Sequence, residues 1–224
     1  MKKQGIIFDL DGTLWDSSET VTESWNEILR NTPDIEHLIT VEQMQGQMGK
    51  PMEEIAYSLF DTVEKTRAVE ILKECIDNEN AYILKCGGVL YEGLEDILGR
   101  LQKDYFLAIV SNCQEGYIEA FLTYHKLDRY FEDTECYGHT GLQKGENIRM
   151  VIERNHISDI IYVGDTMGDY NETMRAAGML QDATPKVRLQ FLHAAYGFGE
   201  VPEGTPILTD IRKLPEVAEE IFSK

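Results

Sequence analysis

The sequence predicts an α/β protein, with a parallel β-sheet between layers of helices and a second, purely helical domain. Residues 6–8 are an uninterrupted apolar run, typical of a central strand that is buried on both faces. From residue 87 onward, apolar runs alternate with segments of helical periodicity. Residues 16–85 show helical patterns and no convincing strand. We therefore predict a core formed by residues 1–15 and 86–224, with residues 16–85 inserted as a helical domain.

Four helices are predicted in the insert. Asp16 or Ser17 can cap the first helix, whose apolar face includes Trp25. Thr40 and Gln43 have the spacing of a capping box, which marks the start of the second helix. The predicted ranges are 16–30, 40–46, 52–60 and 63–84.

Strands and helices alternate in the rest of the chain. The strands are predicted over residues 105–110, 135–137, 159–163, 191–195 and 207–208. The helices are predicted over residues 94–102, 116–124, 146–154, 170–177 and 214–222. The fourth of these helices should stop at Gly178. Because each strand is followed by a helix, the strands should run parallel in one sheet.

The chain is strongly acidic, with a net charge of −19 from 21 basic and 40 acidic residues. A field of this sign repels phosphate groups, which argues against nucleic acid or a membrane surface as the main partner. A phosphate-binding site in this chain would need local positive charge from a metal ion, a lysine or helix N-termini.

The four cysteines have no spacing typical of a metal site. Together with the lack of a signal peptide and of a long apolar run, they indicate reduced, buried thiols in a cytoplasmic protein. These residues are Cys75, Cys86, Cys113 and Cys136.

Polar side chains follow three of the predicted strands, at the sheet edge where α/β proteins bind ligands. They are Asp9 and Asp11, Ser111 and Asn112, and Asp165 and Asp169. Gly12 allows the main chain to turn and to approach a bound group. Lys144 opens a helix, where its charge opposes the helix dipole. Taken singly, these residues also fit a turn, a helix cap or solvated surface charges, but together they favour one site.

This arrangement resembles a known family. The sequence DLDGT at residues 9–13, Ser111-Asn112, Lys144 and GDTMGD at residues 164–169 look like the four motifs of the haloacid dehalogenase-like phosphatases, in the same order. The helical insert resembles the cap of the branch that contains phosphoglycolate phosphatase and β-phosphoglucomutase. The resemblance implies a modified Rossmann core, a Mg²⁺ cofactor and an aspartyl-phosphate intermediate.

The resemblance also implies roles for individual residues. Asp9 would be the nucleophile, and Asp11 would protonate the leaving group and then deprotonate water. The implied oxygen ligands of Mg²⁺ are Asp9, the main-chain carbonyl of Asp11, Asp165 and Asp169. The implied phosphate-binding residues are Ser111, Asn112, Lys144 and the main chain at Gly12 and Thr13.

The insert would act as a lid that excludes water and selects the leaving group, with hinges near residues 15–17 and 85–88. Lys50, in the loop 46–51, is our predicted contact to the organic part of the substrate. A plain turn between helices, with a solvated lysine, is the alternative for this loop. Residues 179–188 resemble an insertion relative to the family pattern.

The predicted function is hydrolysis of a small phosphorylated metabolite, with 2-phosphoglycolate as one candidate. A β-phosphoglucomutase-type mutase and a pyrophosphatase remain open, because Asp11 and Mg²⁺ would serve them equally. A receiver-type signalling domain also combines acidic residues, a hydroxyl residue and a lysine, but the helical insert and Asp11 argue against it. A 2-haloacid dehalogenase needs no metal, and its motifs match less well at Asp11.

Overall fold

A computed structural model describes residues 3–183 and 185–224. These residues form eight β-strands and ten α-helices. The strands are β1 (Gln4–Phe8), β2 (Trp15–Asp16), β3 (Val89–Leu90), β4 (Phe106–Ser111), β5 (Asp133–Cys136), β6 (Asp159–Gly164), β7 (Arg188–Ala194) and β8 (Ile207–Leu208). The helices are α1 (Ser18–Leu29), α2 (Val41–Gln45), α3 (Met52–Leu59), α4 (Lys65–Cys86), α5 (Leu94–Leu101), α6 (Tyr117–His125), α7 (Tyr137–Thr140), α8 (Lys144–Asn155), α9 (Met167–Met179) and α10 (Leu214–Phe222).

Six strands form one sheet in the order β5-β4-β1-β6-β7-β8, and every neighbouring pair is parallel. β1 lies inside this sheet, with Phe8 opposite Ile109 of β4 and Val163 of β6. Apolar residues on both faces of these strands are fully buried, because helices cover the sheet on each side. The predicted α/β class with a parallel sheet is confirmed.

The order of the strands places a crevice at the carboxyl end of β1. The chain first builds β4 and β5 on one side of β1, and then crosses to build β6 and β7 on the other side. Ligands bind in open α/β sheets where the strand order reverses in this way. Asp9 directly follows β1, Ser111 ends β4 and Asp165 directly follows β6. The topology therefore brings three of the predicted polar positions to one edge.

Helices α1–α4 follow one another between β2 and β3, and α1 and α3 both pack against α4. The rings of Trp25 and Phe60 stack with their centroids 6.2 Å apart in the apolar centre of this segment. The predicted capping box opens α2: the Gln43 amide donates to Thr40 Oγ1 at 3.2 Å, and the Thr40 amide donates to Gln43 Oε1 at 2.9 Å. This confirms the helical character predicted for the segment.

A short antiparallel ribbon joins the two ends of the helical segment. Trp15 pairs with Leu90 and Asp16 with Val89. This pairing of β2 with β3 was not predicted, because two-residue strands leave no period in a sequence. The ribbon lies at the two places where the chain passes between the sheet and the helices.

Two predicted boundaries near the insertion are wrong. α9 does not stop at Gly178 but continues to Met179. A glycine inside a helix lowers stability by only about 1 kcal/mol, and the buried Leu180 follows directly. β7 begins at Arg188 rather than at residue 191, because Arg188 Nε lies 2.6 Å from Asp159 Oδ1 of β6. Of the predicted insertion, Thr184 lies outside the described residues.

Three of the four cysteines are buried as predicted, but Cys86 is exposed. Cys86 is the last residue of α4, where the helix leaves the apolar interior. Within residues 3–183 and 185–224, no helix combines the length and the apolar character that crossing a membrane requires.

We expect Leu107→Ala to lower the free energy of unfolding by about 2–5 kcal/mol, because it opens a cavity in the centre of the core. Leu107 lies on β4 and is 0% exposed. Leu84→Ala on α4 is the matched control, since Leu84 is 49% exposed and its loss should cost about 0.5 kcal/mol or less. Denaturant unfolding measures both, and equal losses would contradict the central position of β4.

Candidate active site

Three carboxylates meet at the crevice. Asp9 follows β1, Asp165 follows β6, and Asp169 lies in the first turn of α9. All three are buried, and one carboxylate oxygen from each lies within 4.8 Å of the other two. Three buried acids this close require compensating charge, because an uncompensated ion inside a protein is strongly unfavourable. The sequence prediction that Asp9, Asp165 and Asp169 converge agrees with this geometry.

Lys144 supplies part of that charge. It begins α8, is 1% exposed, and places Nζ at 2.8 Å from Asp9 Oδ1 and 2.6 Å from Asp169 Oδ1. Burial alone would lower the pKa of the Lys144 ammonium, but the charges of Asp169 and Asp9 outweigh it and hold this pKa well above the usual value. Lys144 is therefore not a solvated surface lysine. The two ion pairs stabilise a cation at a helix N-terminus, where the dipole disfavours it.

With all three carboxylates ionised, the cluster would carry two negative charges more than positive ones. Burial, reinforced by the charge of Asp169, raises the pKa of Asp9 to about 7. Burial and the charges of Asp169 and Asp9 raise the pKa of Asp165 to about 8. A divalent cation would remove this excess, and buried carboxylate oxygens are the ligands that hard divalent cations prefer. The donor set therefore fits such an ion.

Asp169 differs from the other two carboxylates. Burial acts to raise its pKa, but the ion pair with Lys144 and two hydrogen bonds from Thr166 outweigh burial and lower it. Thr166 donates its amide at 3.0 Å and its hydroxyl at 2.6 Å to Asp169 Oδ2. Thr166 and Asp169 form the capping box of α9. Our sequence analysis missed Thr166, although the spacing Thr-x-x-Asp before a helix is a recognisable signal.

Asp165 is held by the main chain and by close packing. The amide of Phe198 donates to Asp165 Oδ2 at 2.8 Å, and the Thr13 hydroxyl lies 3.4 Å from Oδ1. Gly12 has a φ of +78°, and a Cβ atom there would lie 2.2 Å from Asp165 Oδ2. Gly197 approaches from the other side, where a Cβ would lie 2.4 Å from the Asp165 Cβ. The glycine of the first motif is thus needed for a close approach of the main chain to this carboxylate.

Asp11 lies outside the group of three carboxylates. Its Oδ1 accepts hydrogen bonds from the Ser17 hydroxyl at 2.5 Å and from the Tyr117 hydroxyl at 2.9 Å. Burial raises the pKa of Asp11, although these two hydroxyl donors act in the opposite direction. A carboxyl group that is oriented by two donors and favours its protonated form can transfer a proton. Ser17 was predicted only as a helix cap and Tyr117 was not identified, because they approach Asp11 from the residue before α1 and from α6.

A cavity of about 50 Å³ opens beside Asp9 and Asp11. Its wall on the sheet side includes Ser111, Asn112 and Gln114, and its opposite wall comes from the helical segment. The opposite wall consists of Val21, Trp25, Met44, Met48, Gly49, Lys50, Met52, Ile55 and Glu79. Asn112 Nδ2 donates to the Gly49 carbonyl at 3.0 Å, which ties the two walls together. The helical segment and the sheet edge therefore enclose one space.

The predicted substrate contact Lys50 lines this cavity and also a wider cleft of about 720 Å³. Lys50 is exposed, and its ammonium donates to Gln47 Oε1 at 3.0 Å. Lys144 and Asn112 line the wider cleft as well. The structure thus places Lys50 at the border between the cavity and solvent, rather than in contact with the carboxylates.

Glu79 is a buried acid that the sequence analysis did not identify. It lies on α4, is 3% exposed, and burial raises its pKa to about 7. Gln114 Nε2 donates to Glu79 Oε1 at 2.8 Å, and the indole of Trp25 donates to Oε2. A glutamate on a long, charged helix gives no sequence signal of burial, because only its tertiary neighbours distinguish it.

The chain was compared with known proteins. The family model described as haloacid dehalogenase-like hydrolase matches residues 6–180. No curated protein matches the chain.

Several solved structures are similar over nearly their whole length. A predicted phosphoglycolate phosphatase from Haemophilus somnus 129PT is 18% identical, with a TM-score of 0.78 and coverage of 95% of this chain and 96% of that chain. A predicted phosphatase from Clostridium acetobutylicum is 22% identical, with a TM-score of 0.74 and full coverage of both chains (100% and 100%). A haloacid dehalogenase-like family hydrolase from Streptococcus pneumoniae is 20% identical, with a TM-score of 0.76 and coverage of 95% and 97%. At these identities the similarity establishes a shared fold.

We expect the contribution of Asp9 and Asp165 to the stability of the metal-free protein to fall as the pH rises from about 4 to about 8. Asp9 and Asp165 have pKa values of about 7 and about 8 in the folded chain against an ordinary 3.8, so the folded state binds protons more tightly. Stability is therefore greatest while these groups are protonated and falls as they ionise. A divalent cation such as Mg²⁺ should raise Tm more at the higher pH, because protons then compete less for the carboxylates. Thermal unfolding with EDTA or with Mg²⁺ measures both effects.

Other groups also titrate in this range, so Asp165→Asn is the matched control. The variant lacks one of the two titrating carboxylates and one metal ligand candidate. Its Tm should fall less steeply with pH in EDTA, and Mg²⁺ should raise it less. A metal response equal to that of the unchanged protein would contradict a cation site that includes Asp165.

Proposed function

We propose that this chain, which belongs to the haloacid dehalogenase-like hydrolase family, is a Mg²⁺-dependent phosphatase that hydrolyses small phosphate monoesters. One observation carries the proposal: Asp9, paired with Lys144 and clustered with two further carboxylates, shares a cavity with Asp11. A nucleophile, a cation site and an acid are the groups that phosphoryl transfer from an ester requires. The names of the Haemophilus and Clostridium structures support the same reaction class.

Mg²⁺ would be held by Asp9, Asp165 and Asp169, with the main-chain carbonyl of Asp11 as a further ligand. When bound, this ion screens the repulsion between an anionic nucleophile and an anionic phosphate and neutralises charge in the transition state. It would also lower the raised pKa values of Asp9 and Asp165, so that both are ionised at neutral pH. The acidic chain thereby gains the local positive charge that its net charge of −19 does not provide.

In the first chemical step, a carboxylate oxygen of Asp9 attacks phosphorus in line. A bond forms between Asp9 and phosphorus, and the bond from phosphorus to the ester oxygen breaks, which leaves an acyl phosphate and an alcohol. Water then attacks the phosphorus of the acyl phosphate, releasing inorganic phosphate and restoring the Asp9 carboxylate. Lys144, at 2.8 Å from Asp9 Oδ1, fixes the orientation of this carboxylate.

Asp11 moves the protons in both steps. Its protonated carboxyl group gives a proton to the departing ester oxygen, and the resulting carboxylate takes a proton from the attacking water. The hydroxyls of Ser17 and Tyr117 hold Asp11 in place for these transfers. Burial, which raises the pKa of Asp11, favours the protonated form that the first step needs.

The phosphoryl oxygens would be held by Ser111, Asn112 and Lys144. Ser111 and Asn112 line the cavity that Asp9 shares. Lys144 is the buried cation nearest to Asp9. The main chain at Gly12 and Thr13, which the resemblance also implied for phosphate binding, is already hydrogen-bonded, because the Gly12 amide donates to the Trp15 carbonyl at 2.9 Å and the Thr13 amide donates to the Leu10 carbonyl at 3.2 Å.

Residues 16–85 would act as a cap domain on a core formed by residues 1–15 and 86–224. The β2–β3 ribbon is a suitable hinge, because the chain passes between the two parts only there. The contact from Asn112 to Gly49 closes the cavity over Asp9. Closure would exclude water from the phosphoryl group. Lys50 would lie at the rim of the cavity, where a substrate enters.

The test of the reaction is release of inorganic phosphate from a panel of small phosphate monoesters, with 2-phosphoglycolate and p-nitrophenyl phosphate included, and with Mg²⁺ or EDTA. We expect steady turnover with Mg²⁺ and its loss in EDTA. A phosphorylated protein that does not turn over would contradict the proposal and favour a signalling role.

Asp9→Asn should reduce kcat below about a hundredth of the unchanged protein for every substrate of the panel, because an amide cannot form the acyl phosphate. Circular dichroism and Tm check that the variant folds. A folded variant that keeps more than this fraction of kcat with Mg²⁺ present would exclude covalent catalysis by Asp9.

Asp11→Asn should reduce kcat/KM by about 10² to 10⁴ for alkyl phosphates, because an alkoxide leaves poorly without a proton. The loss should be smaller for p-nitrophenyl phosphate, whose leaving group is stable as an anion. Steady-state kinetics with both substrates measures the difference. Equal losses for the two leaving groups would contradict a role for Asp11 as the acid.

A further inference from the structure

The wall that the helical segment contributes to the cavity contains one carboxylate among apolar side chains. Glu79 lines the cavity together with Trp25, Met44, Met48 and Ile55. At 3% exposure, Glu79 is as enclosed as its apolar neighbours. A buried acid in an apolar wall is unfavourable unless something compensates its charge.

The described contacts of Glu79 compensate it only in part. Oε1 accepts a hydrogen bond from Gln114 Nε2 at 2.8 Å, and Oε2 accepts one from the Trp25 indole. Both donors are neutral, whereas an ionised carboxylate offers about four acceptor positions. Glu79 therefore keeps acceptor capacity beside the cavity, and a cationic group placed there would favour its ionised form.

The cavity as a whole is unsuited to an acidic leaving group. Asp9 and Asp11 line it beside Glu79, and burial followed by the charge of Asp11 raises the pKa of Glu79 to about 7. Of the described residues in its lining, Lys50 is the only lysine or arginine, and its ammonium donates to Gln47. A carboxylate of the substrate would lie close to a carboxylate of the protein in this space, and the repulsion between like charges makes this unfavourable.

On the premise of the phosphatase function above, we propose that Glu79 is a specificity-determining residue that selects phosphate monoesters whose leaving group ends in an ammonium group. The ammonium would donate to the free acceptor positions of Glu79, and the short carbon chain would lie against Trp25 and the methionines. Phosphorylated amino alcohols are the substrate class. A charged donor is matched to a buried carboxylate because each removes the desolvation cost of the other.

The size of the cavity limits the substrate further. About 50 Å³ is far below the range of roughly 300–1,000 Å³ of ordinary ligand pockets. The space beside Glu79 therefore suits a short leaving group, whereas a longer one would extend into the wider cleft that Lys50 and Asn112 also line.

A set of three esters of similar length tests the proposal: O-phosphoethanolamine ends in an ammonium group, 2-phosphoglycolate in a carboxylate, and propyl phosphate in a methyl group. With the unchanged protein and Mg²⁺, kcat/KM for O-phosphoethanolamine should exceed both others by about tenfold or more. A higher kcat/KM for 2-phosphoglycolate or for propyl phosphate would overturn the proposal.

Glu79→Gln keeps the size of the side chain and removes its charge. The variant should lose about tenfold or more of kcat/KM for O-phosphoethanolamine, change by less than about threefold for propyl phosphate, and gain for 2-phosphoglycolate. The variant keeps a contact of α4 with the chain before α6, because Asn80 Nδ2 donates to the Glu115 carbonyl at 2.8 Å. Equal losses for all three esters would mean that Glu79 has only a structural role, which would overturn the proposal.

Glu53→Gln is the matched control, since Glu53 lies on α3 of the same segment and is exposed. It makes the same change of net charge and should leave all three kcat/KM values within about twofold. If Glu79→Gln does not fold, Glu79→Asp replaces it, because aspartate retains the charge. The ranking of the three esters by the unchanged protein still decides whether the proposal holds.

The experiment separates this proposal from the one on which it rests. Release of phosphate from none of the esters, nor from p-nitrophenyl phosphate, would remove the phosphatase function. Release from the esters without a preference for O-phosphoethanolamine would leave that function intact and exclude the role of Glu79.

Discussion

The two ion pairs of Lys144 with Asp9 and Asp169 are the interaction on which the site depends. A charged lysine with 1% exposure needs acids beside it, and three ionised acids that lie this close need cations beside them. The ion pairs hold together three elements that are distant in sequence, namely the end of β1, the start of α8 and the first turn of α9. The negative charge that remains favours the binding of a divalent cation.

The sheet edge and the helical segment have different roles in the proposed reaction. In the proposed reaction, the carboxylates and Lys144 at the sheet edge would act on the phosphoryl group, whereas Trp25 and Glu79 from the helices line the part of the cavity that the leaving group would occupy. Asp11 lies at the junction, because the Tyr117 hydroxyl donates to its carboxylate. Burial, reinforced by the charges of Asp11 and Glu79, raises the pKa of Tyr117 well above its usual value.

Much of the fold could be predicted from local patterns. A parallel strand covered on both faces must be continuously apolar, so β1 and β4 are evident in the sequence. The capping box at Thr40 marked α2 correctly, because caps use side chains within one turn. The β2–β3 ribbon and the end of α9 beyond Gly178 were missed, since tertiary packing outweighs weak local preferences there.

The sequence by itself determined the fold class and which polar side chains stand at the ends of strands, because strand direction and two-residue alternation are local properties of the chain. Only the tertiary structure decided that Lys144 bridges two acids, that Gly12 has no room for a side chain beside Asp165, and that Glu79 is buried in a cavity wall. These facts depend on how helices far apart in sequence cross one another. The spacing of residues along the chain does not encode those distances.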